Sequence, residues 1–317
     1  MPKKNLNNLV NLLGLLRERH YFYTAITPVS HQKVNQRPGN ELTADLTGIF
    51  GWNRPFKMET VGAEIFEMMQ AANILIQQDD NWRSQLRVSS IGELNFLHSA
   101  FPTVSNDAVF FGPDTYRFAQ AIARFLAVNK LNINKSSTKR AVDIGTGSGA
   151  GAVLLAKALP ACEVLALDIN DEALAIASAN VEAAQVTNVQ VLHSDLLKNV
   201  AGDFDLIIAN PPYLVDSSQR AYRHGGGLLG AGLSVAIVES AVERLSAGGS
   251  LLLYTGVAIE NGRDFFHAEI SNKLQTAGFH FQYDEIDPDI FGEELMSEVY
   301  QKTDRIAAVV LTAQKPA

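Results

Sequence analysis

The sequence predicts an α/β protein: a mostly parallel sheet covered by helices on both faces, preceded by a smaller mixed domain. Two observations carry this. From Arg140 onward, short apolar runs alternate with stretches of helical periodicity, the rhythm of strand–helix–strand units. The first hundred residues lack that rhythm and mix helical periodicity with short alternating runs. The expected division is residues 1–105, an accessory or substrate-recognition domain, and residues 106–317, the sheet domain.

The chain opens on MPKKNLNNLVNLLGLLRERH, where leucines recur at helical spacing and asparagines interrupt the apolar stretch. An amphipathic helix packed on the body is expected rather than a signal peptide, since no small-residue cleavage site follows. Residues 27–57 contain Gly, Pro and Asn and read as irregular. A helix is expected over 60–78. LRVSSIGELNFLH (86–98) holds two alternating runs around Gly92-Glu93 and reads as a hairpin. Arg83 and Arg87 at its entry read as a solvated strand edge, or else as a substrate contact.

Helical pattern from Thr115 to Val128 precedes the polar stretch 129–139, which reads as a loop. Five apolar runs follow: AVDIG, CEVLALDIN, NVQVLHSDLL, FDLIIAN and SLLLYTG. Helices are expected between them at AGAVLLAKALP, DEALAIASANVEAAQV and LSVAIVESAVERLSAGG. A helix near 262–277, a strand near 279–286 and IAAVVLTAQ close the chain, the last two runs suited to an antiparallel edge pair. Ligands of such sheets sit at the carboxyl ends of the strands.

Bulk numbers narrow the function. At 317 residues and 47% hydrophobic, the chain can bury a sizeable core. The net charge is −8, and it is uneven: residues 1–105 hold 10 Lys and Arg against 9 Asp and Glu, residues 106–317 hold 16 against 25. That balance disfavours broad nucleic-acid binding, which rests on cations neutralising phosphates. Cys162 is the single cysteine, so an intramolecular disulfide is excluded and a reducing, cytoplasmic setting is expected. No apolar run reaches membrane-spanning length, so no membrane partner is expected. His20, His31, His98, His193, His267 and His280 show no ligand spacing, and no metal is expected.

The first strand of the second domain runs into Asp143-Ile144-Gly145-Thr146-Gly147-Ser148-Gly149. Alternate glycines let a backbone turn tightly and approach a ligand closely. A loop–helix junction of this kind suits anions, and Gly145, Gly147 and Ala150 satisfy the loose dinucleotide spacing. Three acids point elsewhere. Asp143, ahead of the glycines, repels a pyrophosphate and suits an ammonium. Asp168 ends the second strand, placed to accept from ribose hydroxyls. Asp195 follows the third, placed to accept from the amine of adenine. Helix capping or a turn is the plain alternative for each acid taken singly. Ribose, adenine and a cationic amino-acid tail without phosphate describe S-adenosylmethionine.

This part of the chain, about 110–317, resembles the class I S-adenosylmethionine-dependent methyltransferases. The resemblance implies a Rossmann-like, doubly wound, seven-stranded sheet of order three-two-one-four-five-seven-six, the seventh strand antiparallel. It implies S-adenosylmethionine as cofactor, with Asp143, Gly145, Thr146, Gly147 and Gly149 in the first motif. Asp168 with Ile169, and Asp195 with Leu196, form the ribose and adenine sides.

FDLIIA is followed by Asn210-Pro211-Pro212-Tyr213. Proline lacks a backbone N–H and holds the preceding residue extended, so the segment offers a rigid, acceptor-rich corner beside one aromatic ring. This resembles the motif of methyltransferases acting on planar nitrogens. The Asn210 oxygen and the Pro211 carbonyl are expected to accept the two hydrogens of an –NH2 group, with Tyr213 stacked on its plane. Asn210, Pro211 and Tyr213 are therefore the catalytic candidates, and Asn210 also adjoins the cofactor.

Upstream, VFFGPDTYRFAQ (109–120) is similar to the approach segment of the release-factor glutamine methyltransferases, which usually read Pro-Arg-Pro-x-Thr-Glu where Gly112-Pro113-Asp114-Thr115 stands here. Thr115 is expected near the methionine end of the cofactor, and Phe110 and Phe111 in the core. In YRHGGGLLGAGLS (222–234), Arg223 or His224 meets substrate, or the segment is a plain helix-entry loop. The expected reaction is methyl transfer to a planar nitrogen, first the amide of a protein glutamine. The alternative substrate is an exocyclic amine of adenine or guanine in RNA or DNA, with a small-molecule amine third. A nicotinamide dehydrogenase shares the glycine loop but has no use for Asp143 or the Asn-Pro-Pro-Tyr corner. A non-catalytic cofactor-binding scaffold has no need of Asn210.

Overall fold

The computed structural model describes residues 3–101, 103, 105–128, 138–216, 220 and 222–317; most of the loop expected at 129–139 lies outside them. The N-terminal part holds α1 (Lys3–Glu18), α2 (Pro28–Asn35), a π-helical turn (Thr47–Gly51) and α3 (Met58–Ala71). Two hairpins follow: β1 (Leu75–Gln78) with β2 (Asn81–Ser84), and β3 (Leu86–Ile91) with β4 (Leu94–Ser99). The hairpin expected around Gly92-Glu93 is present. The region expected to be irregular contains α2, begun by Pro28 behind the cap Thr27, whose hydroxyl accepts from Ser30 N. The helix expected over 60–78 stops at Ala71, and its last four residues are β1. Asn73, at φ 58, takes the left-handed conformation that ends helices, and LIQQ then pairs with NWRS.

In α1, Leu9, Leu12, Leu13 and Leu16 are buried, as the leucine spacing requires. They share one apolar cluster with Ala173, Ile176 and Ala179 of α6 (Asp171–Ala183), so the N-terminal part is packed onto a helix of the sheet domain. Each fully buried leucine contributes about 1.5–3 kcal/mol. Asn180, fully buried in α6, reinforces the junction. Its Oδ1 accepts from Leu97 N at 2.8 Å, and its Nδ2 donates to Leu97 O at 3.0 Å and to Ser148 O at 2.8 Å. One side chain thus ties β4 to the glycine loop.

The sheet domain adds α4 (Pro113–Val128), β5 (Arg140–Ile144), α5 (Ala150–Ala158), β6 (Glu163–Asp168), β7 (Val189–His193), β8 (Phe204–Ala209), α7 (Gly232–Arg244), β9 (Leu245–Glu260), β10 (Arg263–Asp264), α8 (Phe265–Thr276), β11 (His280–Asp287) and β12 (Arg305–Gln314). The strand order is β7-β6-β5-β8-β9-β12-β11, with β10 a two-residue addition to β9. β5 pairs parallel with β6 and β8, β6 with β7, and β8 with β9; β12 is antiparallel to both neighbours. The expected seven-strand order is therefore present. Alternate residues of β5 face opposite layers: Val142 and Ile144 meet the α7–α8 side, while Ala141 meets α4 and α5. Among the described residues no helix is long and apolar enough to cross a membrane.

Candidate active site

Strand order reverses between β5 and β8, and at their carboxyl ends opens a cavity of ≈ 440 Å³. Of the expected site residues, Thr115, Asp143, Gly145, Thr146, Gly147, Asp168, Ile169, Asp195, Leu196, Asn210, Pro211 and Tyr213 all line it. Gly149 does not. At φ 78 it turns the chain into α5, and a Cβ there would lie 3.2 Å from Ala177 Cβ, so its service is close packing of α5 on α6. Gly145 and Gly147 have φ of 68° and 54°, and a Cβ on either would meet open space, so the loop leaves room beside its backbone.

The three acids differ. Asp143 is buried, and its Oδ2 accepts from the Thr146 hydroxyl at 2.6 Å and from Ala152 N at 3.0 Å. Burial pushes its carboxyl up to about 6. It braces the loop from within, at the start of α5. Asp168 accepts from Gly147 N at 2.9 Å and Asn170 N at 3.0 Å, one on each oxygen, and burial raises its carboxyl too. Asp195 is exposed and paired with Lys198 at 2.5 Å.

Asn210 follows β8, and among the described residues its side chain has no hydrogen-bond partner within the chain. Its amide is thus available to a ligand. Tyr213 departs from the expected stacking position. Its ring lies in the core at 7% exposure, edge-on to Phe291, and its hydroxyl donates to Asp114 Oδ2 at 2.7 Å. Gly256 of β9 makes room for that ring, because a Cβ there would sit 2.3 Å from Tyr213 Cδ2.

Asp114 is the residue that sequence reasoning passed over. It is buried beside the cavity, and its Oδ1 accepts from the Tyr254 hydroxyl at 2.6 Å and from Arg117 at 3.2 Å. Its chemical type was visible beside Thr115, but its partners lie 99 and 140 residues away. Phe111 is in the core as expected. Phe110 instead lines the cavity, stacked on Tyr222 at 6.2 Å, whose hydroxyl donates to Thr103 O at 2.6 Å. Arg223 also lines the cavity and pairs with Glu294, while His224 Nδ1 accepts from Asp216 N at 3.2 Å. Arg87, read as a strand edge or substrate contact, is neither. It is buried, and its guanidinium donates to Gly51 O at 2.8 Å and Tyr23 Oη at 3.3 Å. Among the described residues no group of His, Cys, Asp and Glu is placed to hold a metal ion.

Residues 122–261 match the family described as the methyltransferase small domain. The match falls on the part of the chain whose strand order is the one expected for a class I S-adenosylmethionine-dependent methyltransferase. Among curated proteins, the chain is 32% identical over 178 residues to a release factor glutamine methyltransferase of Lactococcus lactis, covering 52% of this chain and 62% of that protein. It is 40% identical over 126 residues to one of Rhodopirellula baltica, covering 35% and 43%. The chain thus spans less than two thirds of the length of these relatives. Among solved structures, a methyltransferase from Pyrococcus furiosus is 22% identical, with a TM-score of 0.43 over 62% of this chain and 83% of that one.

Proposed function

We propose that this protein transfers the methyl group of S-adenosylmethionine to the side-chain amide nitrogen of a glutamine in a protein. The observation that carries the proposal is Asn210: an unpaired amide at the end of β8, in one cavity with Asp168, Asp195 and the open glycine loop. The donor set suits the cofactor. Each Asp168 oxygen takes one backbone N–H and keeps a lone pair for a ribose hydroxyl, and Gly145 and Gly147 leave space beside them. Asp195 is the acceptor for the adenine amine.

When bound, S-adenosylmethionine supplies an electrophilic methyl group on a sulfonium. This chain's residues do the rest. An amide nitrogen is a poor nucleophile because its lone pair is delocalised. The Asn210 Oδ1 and the Pro211 carbonyl accept its two hydrogens, fix its orientation and favour the positive charge that develops on it. No strong base is needed, since the proton departs after transfer. Asp114 is engaged on both oxygens, by Tyr213 on one and by Tyr254 and Arg117 on the other, and Asp143 Oδ2 accepts from Thr146 and Ala152.

The test is methyl transfer with S-adenosylmethionine labelled in the methyl group, into extract of cells lacking the gene. Label in protein that falls by about 10²–10³ with Asn210→Ala supports the proposal. Label in RNA or DNA instead would overturn the glutamine assignment.

A further inference from the structure

Beside the mouth of the cavity, the N-terminal part gathers three arginines; Asp45 is the acid facing Arg54, but it forms no ion pair there and its Oδ1 accepts from Gly48 N. Pro28 and Val29 of α2 line the cavity, and His31 lies on the same helix. The His31 ring is stacked on Trp52 at 5.7 Å and packed against Phe101 at 5.5 Å. The Arg54 guanidinium lies over Trp52, 5.3 Å from the ring centre, and donates to Asn35 Oδ1 at 2.9 Å. Asn35 Nδ2 donates to Trp52 O at 2.8 Å and faces His31 Nε2 at 3.5 Å. Arg83 follows Trp82, whose backbone pairs with Phe56 in both directions at 2.8 Å. None of Arg54, Arg83 and Arg87 belongs to any ion pair among the described residues.

Two hydrogen-bond donors in this corner are buried and unpartnered. Arg54 and Trp52 fix which end of the Asn35 amide is nitrogen, so His31 Nε2 is the acceptor of that pair. Burial and the nearby guanidinium groups hold the ring neutral, at about 4, and in the tautomer that accepts from Asn35 at Nε2 the proton is on Nδ1. Nδ1 has no partner, and neither has Arg83 Nε. An orphaned buried donor of this kind costs about 1–3 kcal/mol, which an incoming acceptor recovers. A third orphan, Asn53 Oδ1, is an acceptor.

We infer that this corner binds a carboxylate of the substrate polypeptide, held by Arg54, Arg83 and His31 Nδ1, with Asn53 Oδ1 accepting a neighbouring peptide N–H. This rests on the protein-substrate reading above. Carboxylate and guanidinium match in charge and plane. A phosphodiester backbone has no N–H for Asn53, and its repeated charges meet Glu293 at the cavity. The carboxylate belongs to an acidic side chain or to a chain terminus.

Trp52 and Trp82 are the only tryptophans, so intrinsic fluorescence reads this corner. The full chain is titrated with a capped hexapeptide carrying one aspartate, its asparagine counterpart, the asparagine peptide with a free carboxyl terminus, inorganic phosphate, and a single-stranded oligonucleotide. A saturable change with either carboxylate peptide is expected, weaker by at least about tenfold for the capped asparagine peptide and for Arg54→Gln and Arg83→Gln. Arg54→Lys restores part of the affinity, and melting curves confirm that the variants fold. Equal affinity for the capped aspartate and asparagine peptides together with no response to the free terminus, or unchanged binding in both Gln variants, would overturn the inference. So would binding of phosphate or the oligonucleotide without the carboxylate peptides. The readout needs no methyl transfer, so its failure is separate from failure of the proposed activity.

Discussion

The hydroxyl of Tyr213 donates to Asp114 Oδ2 at 2.7 Å, joining the Asn-Pro-Pro-Tyr corner to the first turn of α4. Tyr254 takes the other oxygen at 2.6 Å, and Arg117 links the group to Asp287 at 2.7 Å. The Asn-Pro-Pro-Tyr corner is stiffened from both ends: by its prolines within the chain, and by a buried carboxylate across the fold.

Removing that carboxylate should loosen the corner. Asp114→Ala leaves two buried tyrosine hydroxyls without their acceptor, at a cost of about 1–3 kcal/mol each. We expect a lower melting temperature and a turnover number that falls further than cofactor affinity. Tyr213→Phe should reproduce part of this, and the double variant should be less than additive. Additive effects in that cycle would show that the two residues act separately.

Gly256 gives a steric counterpart. Gly256→Ala sets a methyl group 2.3 Å from the Tyr213 ring carbon, so the ring must move. Methyl transfer should drop, and stability should fall by about 1–3 kcal/mol. Denaturant titration beside the turnover assay reads both.

On the cofactor side, Asp168→Ala removes the acceptor for Gly147 N and the proposed ribose contact together. Affinity for S-adenosylhomocysteine, measured by calorimetry, should fall about 10- to 100-fold, as expected for a charge-assisted hydrogen bond. An unchanged affinity would remove Asp168 from the site.

Asn180→Ala should separate the domains energetically. Leu97 N, Leu97 O and Ser148 O lose their partner in a buried junction, which costs about 2–4 kcal/mol. Hydrogen exchange should then rise at Leu97 ahead of the central strands.

His31 sets a pH signature. Its folded value of about 4 lies below the ordinary 6.5, so the unfolded chain binds the proton more readily. Its contribution is therefore intact above 6.5 and declines as pH falls from 6.5 towards 4. His31→Gln should flatten this part of the stability profile in urea titrations.

The sequence by itself determined the sheet domain and most of its cavity. Strand–helix alternation, the glycines after β5, and Asp168, Asp195 and Asn210 after successive strands are local signals, because turn chemistry and strand ends are written in adjacent residues. What only the tertiary structure decided lies where distant segments meet. LIQQ became β1 because NWRS pairs with it, not because its own pattern demands a strand. Tyr213 turned into the core because Asp114 and the gap at Gly256 receive it from 99 and 43 residues away. Arg87 left the surface because Gly51 and Tyr23 supply its acceptors. Burial and partnership are properties of the assembled fold, and a residue's type states only which partners it is able to accept.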